Sequence, residues 1–231
     1  MSKYYQCKLN MKKTLLSLSL ILSISLVFGQ SKEIKIKFIG NCGMHLTDGS
    51  SNIYIDFPYK SGAHNYMEYD KSELDKVVPN STFIFTHKHS DHFSRRLLSK
   101  MKGKKYGTWN VNKIGEISKS IPEFELTAYR TQHKIFGISF EHYSYLMVWH
   151  NKRIFFSGDA EKCDTLVTMK DIDYMFLPAW SLSDAFERNF KIDAKFINVY
   201  HIGPKDNISS SNPKIRLLKT SGEYIFIPFN E

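Results

Sequence analysis

From position 34 onward the chain is cut into short β-type runs, and these constrain its fold more than any other feature. "IKIKFIG" (34–40) alternates apolar with lysine, as a strand with one buried face does. "NIYIDF" (52–57) follows a polar turn, so the two predict a hairpin. "STFIFT" (81–86), "KYGTWNV", "FELTAYR", "ISFEHYSYLMVW", "RIFFSG", "DYMFLPA", "FINVYHIG" and "EYIFIPF" continue the series. Residues 58–80 lack a clear period and predict a long loop with a helical turn. Helical spacing in "SRRLLSKM" and at about 161–170, 182–190 and 211–219 predicts short helices between strands. Many strands with a few interspersed helices indicate one α/β domain with large sheets.

The N-terminus reads differently. "MKKTLLSLSLILSISLVFGQ" has two lysines, a Leu/Ile/Ser/Val core and a small residue, Gly29, which is the layout of a secretory signal peptide over residues 1–29. Its apolar core, from Leu15 to Phe28, is short for a span of about 20 residues. The expectation is export to the periplasm or medium after cleavage near Gly29, with no stable membrane anchor and residues 30–231 forming a single domain. An uncleaved N-terminal anchor is the competing reading, and Met11 is an alternative start. Cleavage removes Lys3, Lys8, Lys12 and Lys13 and no acid, lowering the formal charge of +9 by four. The remaining basic residues are spread through short segments, a solvated face and not a nucleic-acid surface. Two cysteines, Cys42 and Cys163, remain and are expected as free thiols.

The strand 81–86 runs directly into "HKHSDH". In extended chain, residues two apart project to one side, so His87 and His89 can grip one ion together. The chain then turns, and Asp91 and His92 point away from that ion and suit a second one nearby. Imidazoles with a carboxylate suit zinc or a similar divalent metal.

"HKHSDH" resembles the HxHxDH signature of the metallo-β-lactamase superfamily, and its neighbours agree in order. "FIGNCGMHLTDGSSNIYIDFPY" is similar to the family's opening hairpin ending in an aspartate, here Asp56. "AYRTQH" supplies a lone histidine, "NKRIFFSGDA" resembles the family's "GD" turn, and "INVYHIG" supplies a closing histidine. The chain departs at "DFP", where the family more often has Asp followed directly by Pro. The resemblance implies an αββα sandwich of two mixed β-sheets flanked by helices, with a binuclear metal site at one edge. It implies that His87, His89 and His133 hold one ion, that Asp91, His92 and His201 hold a second, and that Asp159 bridges both. Asp56 would orient a ligand histidine from behind. Two divalent ions, with Zn2+ the expected metal, against two aspartates leave room for a bridging hydroxide.

His142 competes with His133, since both precede Asp159. His133 sits before the hairpin that feeds the Asp159 turn, where the family places its ligand; His142 is a sheet residue or reaches toward the pocket. His45 and His64 lie in loops near the expected mouth, either touching substrate or merely at the surface. His150 is expected solvated in its turn, Cys163 a buried thiol, and Trp180 either a pocket wall or core.

The implied activity is metal-dependent hydrolysis of an ester, lactone or phosphodiester in a small-molecule substrate, with Asp91 accepting or relaying the proton of the attacking water. Within the family the chain is most similar to the ascorbate-phosphate lactonase and N-acyl-phosphatidylethanolamine phospholipase branches. Class B β-lactamases usually carry Cys where Asp159 stands, which disfavours β-lactam hydrolysis. The alternative from another class is an exported metal-binding protein without useful turnover.

Overall fold

The computed structural model describes residues 32–135, 137–203 and 205–230, and all its elements lie in one unit, Glu33–Glu231. The expected signal peptide lies outside the described residues. Among those described, no helix is long and apolar enough to cross a membrane.

Two mixed six-stranded sheets form the body. In the first, β1 (Glu33–Gly40), β2 (Gly43–Thr47), β3 (Asn52–Ile55), β4 (Ser81–Ile84) and β5 (Gly103–Tyr106) lie in chain order, and β14 (Tyr224–Pro228) pairs with the outer edge of β1. The second sheet is ordered β13 (Ile215–Leu217), β12 (Ala194–Tyr200), β11 (Ile172–Pro178), β10 (Lys152–Phe156), β9 (Tyr143–Trp149) and β6 (Phe124–Arg130). A separate two-stranded ribbon joins β7 (His133–Ile135) to β8 (Ile138–Phe140).

Alternation along the strands builds the layers. Ile34, Ile36 and Phe38 of β1 and Ile84 of β4 meet Ile154 and Phe156 of β10 and Phe176 of β11 in one cluster between the sheets. The alternate residues face outward: Phe83 packs with Leu98 outside the first sheet, and Phe155, Met175 and Leu177 pack with Leu166 and Ala185 outside the second. A strand period of two therefore gives each sheet two apolar faces. The covering helices are short: α1 (Arg95–Leu98), α2 (Asp164–Thr168) and α3 (Ala179–Glu187).

Four expectations change. The run "ISFEHYSYLMVW" is not one strand: Ile138–Phe140 belongs to the ribbon and β9 begins at Tyr143, so His142 lies between strands and not within one. The predicted hairpin of 34–40 with 52–57 contains an intervening strand, β2, because Met44 and Leu46 in the supposed turn are buried between the sheets. The helix expected at 211–219 is instead β13, paired in parallel with β12, so that Leu217 packs on the cluster outside the second sheet. The segment "TWNV" does not extend β5; Val111–Glu116 forms a 3-10 helix.

Strands β3 and β4 run parallel, as do β10, β11 and β12, so their C-terminal ends collect at one edge. The sheets are tied together there. Tyr145 Oη donates to the Phe85 carbonyl at 2.9 Å, and His201 N–H donates to the Asn41 carbonyl at 3.1 Å.

Candidate metal centre

Every residue of the expected ligand set reaches that edge. His87 and His89 leave the end of β4, and Asp91 and His92 follow in the turn before α1. Asp159 stands just past β10, His201 just past β12, and His133 opens β7. These residues fall into two tight groups, His87, His89 and His133, and Asp91, His92, Asp159 and His201, with their ligand-type atoms within 4.8 Å of one another in each group; Cys42, Asp56 and His92 form a third such group. All are buried except His89, which is half-buried.

Hydrogen bonds behind the histidines determine which nitrogen faces inward. Asp56 is the hub. One carboxylate oxygen accepts the Thr86 N–H at 2.8 Å; the other accepts the Thr86 hydroxyl and His92 Nδ1–H, both at 2.8 Å. With its proton committed to Asp56, the Thr86 oxygen acts as acceptor for His87 Nδ1–H at 3.0 Å. The Nε2 lone pairs of His87 and His92 are thereby both turned into the cluster. Backbone strain accompanies this: Asp56 and His201 hold φ of 49° and 59°, the left-handed region that non-glycine residues enter at a cost of about 1–2 kcal/mol.

The inward atoms fit a cation. His92 Nε2 lies 3.2 Å from His201 Nε2 and 3.1 Å from Asp159 Oδ1. His201 Nε2 lies 3.2 Å from Asp91 Oδ2 and 3.4 Å from Asp159 Oδ1. Ligands about 2.0–2.1 Å from a tetrahedral ion are roughly 3.4 Å apart, which is the spacing found. In the first group His133 Nε2 faces His89 Nδ1 at 3.0 Å. His87 Nε2 and Asp159 Oδ1 are buried without a hydrogen-bond partner. Lone pairs that converge unpaired in a buried site repel one another and need a cation or protons between them.

The two groups differ electrostatically. Burial holds His87 well below the usual imidazole range, and burial also lowers His89 and His133, so burial favours neutral imidazole in this group. In the second group burial opposes charge but loses to it. The carboxylate of Asp159, followed by neighbouring acidic groups, raises His92 and His201, while His201 and His92 hold Asp159 well below the carboxylate range. A site that draws positive charge against its own desolvation is suited to a divalent ion. Asp159 lies between the groups, with Oδ1 among the second and Oδ2 4.0 Å from His87 Nε2.

Other candidates separate cleanly. His45 is occupied by Asn52 Oδ1 at 2.9 Å and stacks on Tyr54. His64 reaches the rim, Nε2 3.8 Å from Asp91 Oδ1. Trp180 donates Nε1–H to the Ala160 carbonyl and sets its ring 5.1 Å from His201, so it lines the site. His150 is not the solvated turn residue expected: Asp48 and Glu123 flank it at 2.9 and 3.2 Å, and its ring stacks on Phe229. Cys42 and Cys163 are buried free thiols, and Cys42 Sγ–H donates to the Asp91 carbonyl at 3.0 Å.

Sequence reasoning missed Thr86, whose only signal was its place at the end of "STFIFT". It also missed Tyr66, whose ring meets His201 edge-on at 4.2 Å, and Phe140, which does the same to His89 at 4.7 Å. Phe140 also lines a cavity of about 110 Å3 beside His87 and His89, with Lys88, Thr108 and Glu141.

The arrangement of two sheets with clustered ligands at their common edge has solved counterparts. A metallo-β-lactamase fold protein from Bacillus subtilis, YhfI, superposes with a TM-score of 0.56 at 13% identity, over 84% of this chain and 99% of that one. The chain has the metallo-β-lactamase fold. Igni18, a metallo hydrolase from Ignicoccus hospitalis, matches with a TM-score of 0.64 at 14% identity, over 86% of this chain and all of that one. An isothiocyanate hydrolase from Delia radicum gut bacteria matches at 0.60 and 12% identity, over 84% and 99%. No family model and no curated protein matches the sequence. The likeness to these structures is one of fold.

Proposed function

We propose that the protein is a metal-dependent hydrolase holding two divalent ions, with zinc the best fit to its donors. His87, His89 and His133 would hold one ion; Asp91, His92 and His201 the other; Asp159 would touch both. The observation that carries this reading is the convergence of nitrogen and carboxylate ligand atoms at ligand spacing, with His87 Nε2 and Asp159 Oδ1 buried among them without a partner. Support also comes from neighbours of this fold named as a metallo hydrolase and an isothiocyanate hydrolase.

Ions bound there would lower the pKa of a shared water and polarise a carbonyl or phosphoryl oxygen. The chain's own residues do the rest. Asp91 points Oδ2 into the second group and leaves Oδ1 facing His64 at the rim, positioned to take the proton of the attacking water and pass it outward. Asp56 and Thr86 keep the histidine lone pairs aimed inward. Tyr66, Trp180 and Phe140 frame the opening with aromatic surface, which favours a substrate with an apolar portion next to the scissile group. Ester, lactone and phosphodiester bonds all suit this chemistry.

The test joins zinc analysis of the purified protein with hydrolysis assays on esters, lactones and phosphodiesters. Two ions per chain and turnover of at least one class, lost on chelation, are expected. A zinc-replete preparation containing no metal would overturn the ligand assignment. Full metal content with none of these bonds cleaved would favour the metal-binding protein without turnover.

A further inference from the structure

His142 is fully buried and has no part in the ligand groups, yet both of its ring nitrogens are committed. Nε2 accepts the backbone N–H of Asp159 at 2.8 Å. A backbone N–H can only donate, so Nε2 carries the lone pair and the ring proton sits on Nδ1. Nδ1–H then donates to Thr131 Oγ1 at 2.6 Å. The Thr131 hydroxyl has Ser144 Oγ as its acceptor at 3.2 Å, and the Ser144 hydroxyl donates to the Ser157 carbonyl at 2.7 Å. Every donor in this chain is directed. It leaves the backbone at Asp159 N and returns to it at Ser157 O, clasping the Gly158 turn from both sides.

The turn has no slack. Gly158 holds φ of 57°, and a Cβ there would lie 2.5 Å from His142 Nε2 and 2.8 Å from the Thr86 Cβ. The His142 ring also packs against His87 and His133, at 5.1 and 5.5 Å between centroids. It therefore touches two histidines of the first group while holding the main chain of the residue that reaches the second.

We propose that His142 is a positioning residue, which sets the Asp159 carboxylate between the two ion sites and so couples their affinities. The inference rests on the metal reading above, and no ring nitrogen of His142 is left to bind an ion itself. Groups that orient a metal ligand from behind typically change metal affinity 10- to 100-fold when removed.

The test measures zinc affinity by chelator competition in wild type, His142→Leu and His142→Gln. Leucine fills the space but leaves the Asp159 N–H unpaired, and zinc affinity should fall about 10- to 100-fold. Glutamine can place an oxygen near Nε2 and an amide N–H toward Thr131, and should restore most of the loss. A residue needed only for packing would give the reverse order, or equal zinc affinity at lowered melting temperature. Wild type that binds zinc alongside His142→Leu of equal affinity overturns the role of His142 alone. Wild type that binds no zinc overturns the ligand assignment and this role with it. Should His142→Leu fail to fold, nitrogen NMR of the wild-type imidazole decides: a proton on Nδ1 supports the proposal, and one on Nε2 overturns it.

Discussion

Asp56 accepts His92 Nδ1–H at 2.8 Å from the far side of the imidazole, thirty-six residues away in sequence. This contact determines which way His92 presents its lone pair. Asp56→Asn can present an amide in place of the carboxylate, weakening the charge-assisted bond and allowing the ring to reverse. Zinc affinity at the second group is expected to fall about 10- to 100-fold, with the first group less affected. Stepwise competition titration reads the two separately; unchanged affinity at both would remove Asp56 from the account.

Asp91→Asn probes the base. The substitution keeps the shape and an oxygen able to bind metal, and removes the proton acceptor. Because general-base assistance contributes about 10²- to 10⁴-fold, turnover of whatever substrate emerges from the panel should fall by that order, with cooperative melting retained. A metal-loaded Asp91→Asn protein at the wild-type rate would show that the proton goes elsewhere.

Gly158→Ala tests the turn before Asp159. The left-handed φ costs an alanine about 1–2 kcal/mol, and the contacts of 2.5 and 2.8 Å add overpacking of about 1–3 kcal/mol. A fall in melting temperature of roughly 4–20 °C is expected for a domain of this size. Calorimetry showing no change would mean that the turn relaxes freely.

Asp184 supplies a pH test on a carboxylate that belongs to neither ligand group. Its carboxylate accepts the Cys163 backbone N–H at 2.9 Å and faces Arg188 at 3.1 Å. The hydrogen bond from Cys163 and then the Arg188 contact pull its pKa from 3.8 to about 2. A depressed carboxyl pKa stabilises the fold above its unfolded value, and that contribution is lost as pH falls through the folded one. Asp184→Asn should therefore be less stable than wild type at neutral pH, with the gap closing between pH 4 and 2. Denaturant melts that differ equally at pH 7 and pH 2 would contradict it.

Local spacing was enough to mark most of the strands and the "HKHSDH" cluster, because strand alternation and HxHxDH are properties of neighbouring residues; β2 and β13 escaped it. Asp56, His133, Asp159 and His201 came from resemblance in the order of motifs along the chain, since nothing local separates Asp159 from any other Gly-Asp turn. What the sequence could not convey were contacts whose partners lie far apart along it. Thr86 looked like a strand end, and its hydroxyl acquires a direction only when Asp56 stands beside it. His142 could be taken for a ligand or a sheet residue until the Asp159 amide occupied its Nε2. The same holds for the fold: β13 has helix-compatible spacing in isolation, and pairing with β12 overrides that weak preference. Propensity is a matter of tenths of a kilocalorie per residue, whereas buried hydrogen bonds and apolar contacts contribute one or more each, so assembly prevails wherever the two disagree.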